Sequence, residues 1–369
     1  MKLPPFRLER FFAEHEFNAR FLLSSSDCEA WTVDEILALQ PGAEKDFRAL
    51  WLGYTQSTGS PALRAEIARI YRHTGADQVL VHAGAGEAIW TYMNAVLSAG
   101  DHVIVQTPCY QSLLEVPLQI GCDVTPWPMT YTDRWDLRIA DLEASIRPDT
   151  KLVVMNSPHN PTGFQMSRSF QKDAIELASR CGSRVFFDEV YRELEYDQSD
   201  RLPAGCDLYD LAASLGVMSK TYGLPGLRIG WVATHDAQAF QAMNALKDYT
   251  SMCNSAPSEF LAEVALRRRN TLAQRNLRII RENLAHLDSF FARHAETLEW
   301  QRPLAGPIAL PKLRLGADDE QFCADVIRRA SVMLVPGALF GAPGHIRIGF
   351  GRRNLPEALE AFETAIIAI

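Results

Sequence analysis

The chain has 369 residues, of which 47% are hydrophobic and 22% are charged, and its formal net charge is −8. This composition is typical of globular proteins with a large core, and a mildly acidic chain does not favour binding to nucleic acid. The seven cysteines are scattered and form no CxxC pair, a pattern typical of reducing compartments. No apolar stretch reaches the roughly 18 residues that a membrane span requires. We therefore expect a cytoplasmic protein that binds neither nucleic acid nor membrane.

Short apolar runs alternate with longer helical patterns between about residues 78 and 231. The runs lie at 79–81, 103–105, 152–155, 185–187, 217–218 and 229–233. This alternation predicts an α/β fold with a doubly wound, mostly parallel sheet covered by helices. Ligands of such sheets bind at the carboxyl ends of the strands, so the residues that follow each run are candidate site residues.

The pattern changes in the last third of the chain. It is helical between about 236 and 294, and from 298 it mixes helices with short strands, one of them at 308–315. We expect three parts: an N-terminal segment (1–45) that packs with the small domain, a large domain (46–250), and a smaller α/β domain (251–369).

Lys220 lies between an apolar run (211–218) and a turn rich in glycine and proline. Partial burial at a strand end lowers the pKa of a lysine, and a neutral amine can attack a carbonyl carbon. Taken alone, a lysine in a loop is more often a solvated surface group. Its significance depends on the other polar residues that follow the predicted strands.

Three other predicted strands are also followed by candidate site residues. Asp188 ends a strand and Tyr191 follows it; a buried carboxylate there needs a positive partner such as a protonated ring nitrogen, unless it caps the next helix. Asn160 lies in a stiff Pro- and Gly-containing octet (156–163) that projects it over the strand ends. Tyr110 is placed to stack on a flat ring, or else to pack in the core.

Ala85 and Gly86 follow the first strand and open a helix. Small residues at a helix N-terminus let backbone N–H groups approach an anion. A tight turn explains the same residues equally well. The sequence matches neither GxGxxG nor the P-loop, so nucleotide binding is not indicated.

In this order, the motifs resemble the fold type I pyridoxal 5'-phosphate (PLP) enzymes, specifically the class I/II aminotransferase family. The resemblance extends from Tyr54 to Arg347. Its most specific matches are the octet ending in Asn160-Pro161-Thr162-Gly163 and the block from Ser219-Lys220 to Arg228. It implies a homodimer that uses PLP to act on an L-amino acid.

The resemblance also implies roles for single residues. Lys220 would form the internal aldimine and later carry the proton, and Asp188 would pair with the pyridinium nitrogen, keeping the ring an electron sink. Asn160 and Tyr191 would hydrogen-bond the phenolic oxygen of the ring, and Tyr110 would stack on it.

The remaining implied roles concern the phosphate and the substrate. Tyr54 would reach the phosphate across a dimer interface, and Arg347 would bind the substrate carboxylate as a bidentate fork, with Asn160 also facing the substrate. The residues implied to hold the phosphate within one chain are Ala85, Gly86, Ser219 and Arg228.

The segment 21–29 departs from the family pattern, because it lacks the usual glycine and carries two carboxylates. It resembles the segment of capreomycidine-synthase-like enzymes, which use the same cofactor to cyclise a hydroxylated arginine. We expect Ser25, Asp27 and Glu29 to contact the substrate, with Asp27 or Glu29 meeting a guanidinium group. The alternative is a solvated acidic loop.

Two reactions are therefore compatible with the sequence: transamination, or elimination at the β-carbon followed by cyclisation. They share their early steps, so the catalytic residues do not separate them. A third hypothesis is a non-enzymatic sensor module of the kind fused to DNA-binding domains. It is disfavoured because no basic helix-turn-helix precedes Tyr54 and because the catalytic set is intact.

Overall fold

The computed structural model describes residues 3–314, 316 and 318–367. The described strands are β1 Val79–His82, β2 His102–Thr107, β3 Asp123–Pro128, β4 Thr150–Asn156, β5 Arg184–Asp188, β6 Ala212–Val217, β7 Gly230–Thr234, β8 Leu298–Glu299, β9 Ile308–Ala309, β10 Lys312–Leu313, β11 Val335–Pro336 and β12 Ile346–Gly349. The described α-helices are α1 Arg7–His15, α2 Val33–Leu37, α3 Ala43–Arg48, α4 Pro61–Ala68, α5 Ala85–Val96, α6 Gln111–Ile120, α7 Ile139–Ser145, α8 Arg168–Arg180, α9 Gly205–Leu208, α10 Ala237–Lys247, α11 Ala256–Arg267, α12 Arg269–Arg293, α13 Asp319–Ala330 and α14 Leu355–Ile367.

Strands β1 to β7 form one sheet in the order β1-β7-β6-β5-β4-β2-β3. The neighbouring strands β3, β2, β4, β5 and β6 pair in parallel. Strand β7 is antiparallel to both of its neighbours, β1 and β6. Helices cover both faces of the sheet. The predicted α/β fold with a mostly parallel sheet is confirmed.

The central strands are apolar because both of their faces are buried. Successive residues of a strand point to opposite faces. In β5, the ring of Phe186 contacts Tyr92 of α5, with centroids 4.7 Å apart, whereas Phe187 packs in the cluster that contains Ala178 of α8. This sandwich of helix, sheet and helix leaves most polar side chains of the described central strands at the strand ends.

The sequence analysis missed β3. This strand includes two prolines, and of its six residues only Trp127 is fully buried. It lies at the edge of the sheet and pairs only with β2, which is where a strand tolerates residues without a backbone N–H. Its sequence therefore lacks the apolar signal of the central strands.

The C-terminal third contains two small sheets, β10-β8 and β11-β12-β9. The strand predicted at 308–315 is divided into β9 and β10, which belong to different sheets, and Pro311 lies between them. Leu315 and the end of the predicted small domain (368–369) lie outside the described residues, as do residues 1 and 2 of the predicted N-terminal segment. The three predicted domain ranges stay predictions.

The N-terminal segment packs on this C-terminal part. Phe21 forms a parallel bridge with Val332, and the backbone N–H of Gly349 in β12 donates to the carbonyl of Leu23 at 3.1 Å. Earlier in the chain, α1 contacts α6 and α13. The backbone N–H of Arg7 donates to the side chain of Gln111 in α6, and the guanidinium of Arg7 pairs with Glu320 of α13 at 2.6 Å.

Among the described helices, none combines the length and the apolar character needed to cross a bilayer.

We expect Gly349→Ala to destabilise the protein, because the added Cβ would lie 1.8 Å from the carbonyl oxygen of Ser25. Overpacking of this kind costs about 1–3 kcal/mol of unfolding free energy, which urea denaturation followed by circular dichroism measures. Gly226→Ala is the control, since a Cβ there meets no atom within 4 Å. Equal midpoints for Gly349→Ala and wild type would contradict the close packing of the N-terminal segment on β12.

Candidate functional site

A cavity of about 380 Å³ opens at the carboxyl ends of β5 and β6, between the sheet and α1. It brings together residues that are far apart in the sequence, as the parallel sheet predicts. Twelve of the candidate site residues line it: Ser25, Asp27, Ala85, Gly86, Tyr110, Asn160, Asp188, Tyr191, Ser219, Lys220, Arg228 and Arg347.

Asp188 is a buried carboxylate at the end of β5. One of its oxygens accepts a hydrogen bond from the backbone N–H of Val190 at 3.2 Å, and no described Lys, Arg or His forms an ion pair with it. Burial raises the pKa of Asp188 to about 7, and the charge of Lys220 opposes this shift. A carboxylate in this position favours a cationic group of a ligand.

Lys220 follows β6 and points into the same cavity. Its Nζ donates to the hydroxyl of Ser26 at 2.7 Å. Burial lowers the pKa of Lys220, and the charge of Arg347 lowers it further, whereas Asp27 acts in the opposite direction. The amine therefore loses its proton more readily than a surface lysine, as a nucleophile or a general base requires.

An anion cradle is built where α5 begins. Gly84, its N-cap, has a φ of +94°, and a Cβ at this position would lie 2.6 Å from the guanidinium of Arg228, so only glycine suits it. The first backbone N–H groups of α5, at Ala85 and Gly86, lack helical partners, and Ser219 lies beside them in the cavity wall. This set of donors fits the phosphate of PLP.

Arg347 lies on β12 and is only 1% exposed. Its guanidinium donates to the carbonyl of Ser24 at 2.9 Å and to Oδ1 of Asn160 at 3.3 Å, while its Nε has no partner among the described residues. Burial lowers the pKa of Arg347 to about 10. A buried cation with an unused donor, facing a cavity, fits an anionic group of a ligand.

Two tyrosines, Tyr191 and Tyr110, also line the cavity. The hydroxyl of Tyr191 donates to the carbonyl of Ser26 at 2.9 Å, and Tyr191 is fully buried. The ring of Tyr110 packs against Phe6 with centroids 5.1 Å apart, and its hydroxyl donates to Glu9 at 3.0 Å. Tyr110 thus links the sheet side of the cavity to α1.

Sequence analysis missed the wall that α1 and Ser26 provide. Leu8, Glu9, Phe12 and Glu16 also line the cavity. Their spacing places them on one face of a helix, so the helix itself was detectable. The sequence did not show which part of the protein this face would cover.

Two candidates lie outside the cavity. Glu29 accepts a hydrogen bond from the backbone N–H of Arg353 at 2.9 Å and is not brought to the cavity wall. Tyr54 is 81% exposed, next to Trp51 and Leu52, which are 77% and 76% exposed. Within one chain, Tyr54 therefore does not contact the anion cradle.

Comparisons with known proteins identify the family of this chain. The family model described as aminotransferase class I and II matches residues 23–362. Capreomycidine synthase of Streptomyces vinaceus is 29% identical over 363 residues, which cover 97% of this chain and 93% of that protein.

Two solved structures are also similar. A PLP-dependent aminotransferase from Streptococcus suis has a TM-score of 0.94 at 31% identity, covering 100% of this chain and 99% of that one. The PLP-dependent cyclase OrfR has a TM-score of 0.92 at 32% identity, covering 100% and 98%. The protein is thus a PLP-dependent enzyme with a fold type I architecture that acts on an amino acid, and the chain belongs to the aminotransferase class I and II family.

Proposed function

We propose that this enzyme transfers the α-amino group of an L-amino acid, with Lys220 as its catalytic residue. The observation that carries the proposal is the position of Lys220, whose buried amine lies in one cavity with Asp188, Arg228 and Arg347. Lys220 supplies a nucleophile, and Asp188 supplies a carboxylate partner for a protonated ring nitrogen. Arg228 belongs to the anion cradle, and Arg347 forms a second anion site. An amino acid attached to a phosphorylated ring needs each of them.

The cofactor is held by groups that already point into the cavity. PLP, when bound, supplies an electron-accepting ring that stabilises the charge left at the substrate Cα. Arg228, Ser219 and the N-terminus of α5 would bind its phosphate, and Asp188 would keep its ring nitrogen protonated. Tyr110 would cover one face of the ring, and Asn160 and Tyr191 would hydrogen-bond its phenolic oxygen.

Lys220 would bind the cofactor through its amine, and its Nζ would then accept the proton of the substrate Cα. The hydroxyl of Ser26, 2.7 Å from the Nζ of Lys220, orients the amine. The low-polarity surroundings that lower its pKa also favour the neutral form that accepts a proton.

Arg347 positions the substrate. Ser24 and Asn160 hold its guanidinium in place through the two Nη atoms, and the Nε of the same group has no partner among the described residues. A carboxylate bound there is oriented by a planar fork whose rotamer is already fixed, so little conformational entropy is lost on binding.

The second candidate function is elimination at the β-carbon followed by cyclisation. It is favoured by the similarity to capreomycidine synthase over 97% of this chain and to the cyclase OrfR over all of it. Both functions use Lys220 in the same way, so the products decide between them.

We also propose that the enzyme is a cytoplasmic homodimer. Trp51, Leu52 and Tyr54 form an exposed apolar patch of the kind that subunit interfaces cover, and Tyr54 would bind the phosphate held by the other subunit. The seven free cysteines of the chain suit a reducing compartment.

We expect Lys220→Ala to abolish turnover and to remove the covalent form of bound PLP, because no other amine of the described cavity takes its place. Absorbance spectroscopy after borohydride reduction, followed by peptide mass spectrometry, identifies the modified residue. Lys172→Ala is the matched control, since Lys172 is an exposed residue of α8 that does not line the cavity. Turnover retained by Lys220→Ala would refute the assignment.

Product analysis separates the two candidate functions. The holoenzyme is incubated with a panel of amino acids, including arginine and hydroxyarginine, with and without a 2-oxo acid. A keto acid formed from the substrate, together with amination of the 2-oxo acid, supports transamination. A dehydrated product that retains its α-nitrogen, formed without a 2-oxo acid, supports cyclisation.

Asp188→Asn is expected to stabilise the apoenzyme while weakening catalysis. Because the folded-state pKa of Asp188 is raised to about 7, the folded protein binds a proton that the unfolded chain has lost, and stability falls as pH rises from about 4 to 7. Removing this carboxylate should add on the order of 1–4 kcal/mol at pH 8 and less at pH 5. Urea midpoints that do not differ from those of wild type at pH 8 would contradict the burial of an unpaired carboxylate.

Tyr54→Phe is expected to weaken PLP binding about tenfold or more without dissociating the dimer, since it removes one hydrogen bond to a charged group. Fluorescence titration gives the PLP affinity, and sedimentation gives the mass, expected at twice 41.3 kDa. Tyr249→Phe, at another exposed tyrosine, is the control. A monomeric enzyme with full activity would rule out the shared site.

A further inference from the structure

The wall that α1 adds to the cavity is acidic. Glu9 of α1 and Glu16, the C-cap residue that directly follows α1, both line the cavity. They are separated by seven residues, or two turns of a helix, with Phe12 between them. They lie about 10 Å apart along the helix axis. The cavity therefore carries two carboxylates opposite the sheet, in addition to Asp27 and Asp188.

Most charges in the cavity already have a partner or a role. Both oxygens of Asp27 accept hydrogen bonds from Arg352 at 3.1 Å, so this carboxylate is occupied. Asp188 faces the cofactor. Glu9 accepts a hydrogen bond from the neutral hydroxyl of Tyr110, and Glu16 has no side-chain partner among the described residues.

Glu16 is also in unfavourable surroundings. It is partly buried, and burial together with the charge of Asp27 raises its pKa, which Arg352 only partly offsets. A carboxylate in such a place is stabilised by a cation. No side chain of the described residues supplies this cation by direct contact, which leaves the position open to a ligand.

A second observation indicates what kind of ligand brings the cation. Arg347, 1% exposed and with an unpartnered Nε, lines the same cavity. One molecule that satisfies both features carries a carboxylate for Arg347 and a positive charge for α1. An aliphatic side chain would leave Glu16 unpaired, and an acidic side chain would be repelled by both glutamates.

We propose that Glu9 and Glu16 form a subsite that binds the guanidinium group of a basic amino-acid substrate. This subsite rests on the proposed function, because the α-carboxylate of the same substrate lies on Arg347. A guanidinium presents five donors in a planar fork and contacts carboxylates on two sides, whereas an ammonium is a compact charge. Two carboxylates that approach from separate positions therefore favour the guanidinium.

The test uses arginine and citrulline, which have nearly the same shape but differ in charge. The holoenzyme is titrated with each amino acid, without a 2-oxo acid, and the initial change in cofactor absorbance gives an apparent Kd. Wild type should bind arginine at least about 10-fold more tightly than citrulline, as a hydrogen bond between charged groups provides. Lysine should bind less tightly than arginine.

The variants assign the effect to α1. Glu16→Gln should weaken arginine binding about 10- to 100-fold and leave the citrulline Kd within about threefold, which also shows that the cavity is intact. Glu9→Gln should have a smaller effect, because Glu9 is exposed and water screens its charge. Glu14→Gln is the matched control, since Glu14 belongs to the same helix but its side chain is 75% exposed and lies outside the cavity.

Three outcomes would overturn the subsite. In the first, Glu16→Gln weakens arginine and citrulline equally, which indicates a structural role. In the second, lysine binds as tightly as arginine. In the third, the holoenzyme responds to neutral amino acids without preferring arginine, which leaves the proposed function standing. A holoenzyme that responds to no amino acid would instead refute the proposed function itself.

Discussion

The side chain of Asn156 fixes the geometry on which the site depends. It ends β4, in register with Asp188 at the end of β5. Its Nδ2 donates to the carbonyl of Asp188 at 2.8 Å, and its Oδ1 accepts from the backbone N–H of Asn160 at 2.7 Å. One buried amide thus joins two strand ends and the turn that follows. Arg347 is added to this unit through Oδ1 of Asn160, so the proposed cofactor side and the proposed substrate side of the cavity share one support.

Burial shifts three charged groups that line the cavity toward their neutral forms. The pKa of Asp188 is raised, and those of Lys220 and Arg347 are lowered, in each case mainly by loss of water. Without ligands, the cavity therefore holds charges that cost folding free energy. A cationic ring nitrogen beside Asp188 and a carboxylate beside Arg347, as proposed above, would offset these costs on binding.

The sequence predicted the parts of the fold that carry a local signal. The apolar run of β1 and the lysine block around Lys220 are recognisable because burial and turn formation constrain each residue type. The edge strand β3 was missed because solvent exposure allowed prolines there. The ion pair of Asp27 with Arg352 was invisible, since its partners lie 325 residues apart. Glu16 was missed for a related reason: periodicity shows that a helix has a face, but not what the face covers.

The walls of the cavity differ in how firmly they are held. The sheet, β12 and the N-terminal segment are joined by buried hydrogen bonds, including the contact of Arg347 with Ser24. By contrast, the ion pair of Arg7 with Glu320 at the start of α1 leaves both side chains 53% exposed, and such pairs contribute about 0–1 kcal/mol and weaken as salt is added. The groups proposed to bind what every α-amino acid has in common are therefore held by buried polar contacts. The groups proposed to face the side chain of the substrate lie on and just after α1, which is held by the apolar packing of Leu8 against Val335 and Phe340 together with exposed polar contacts.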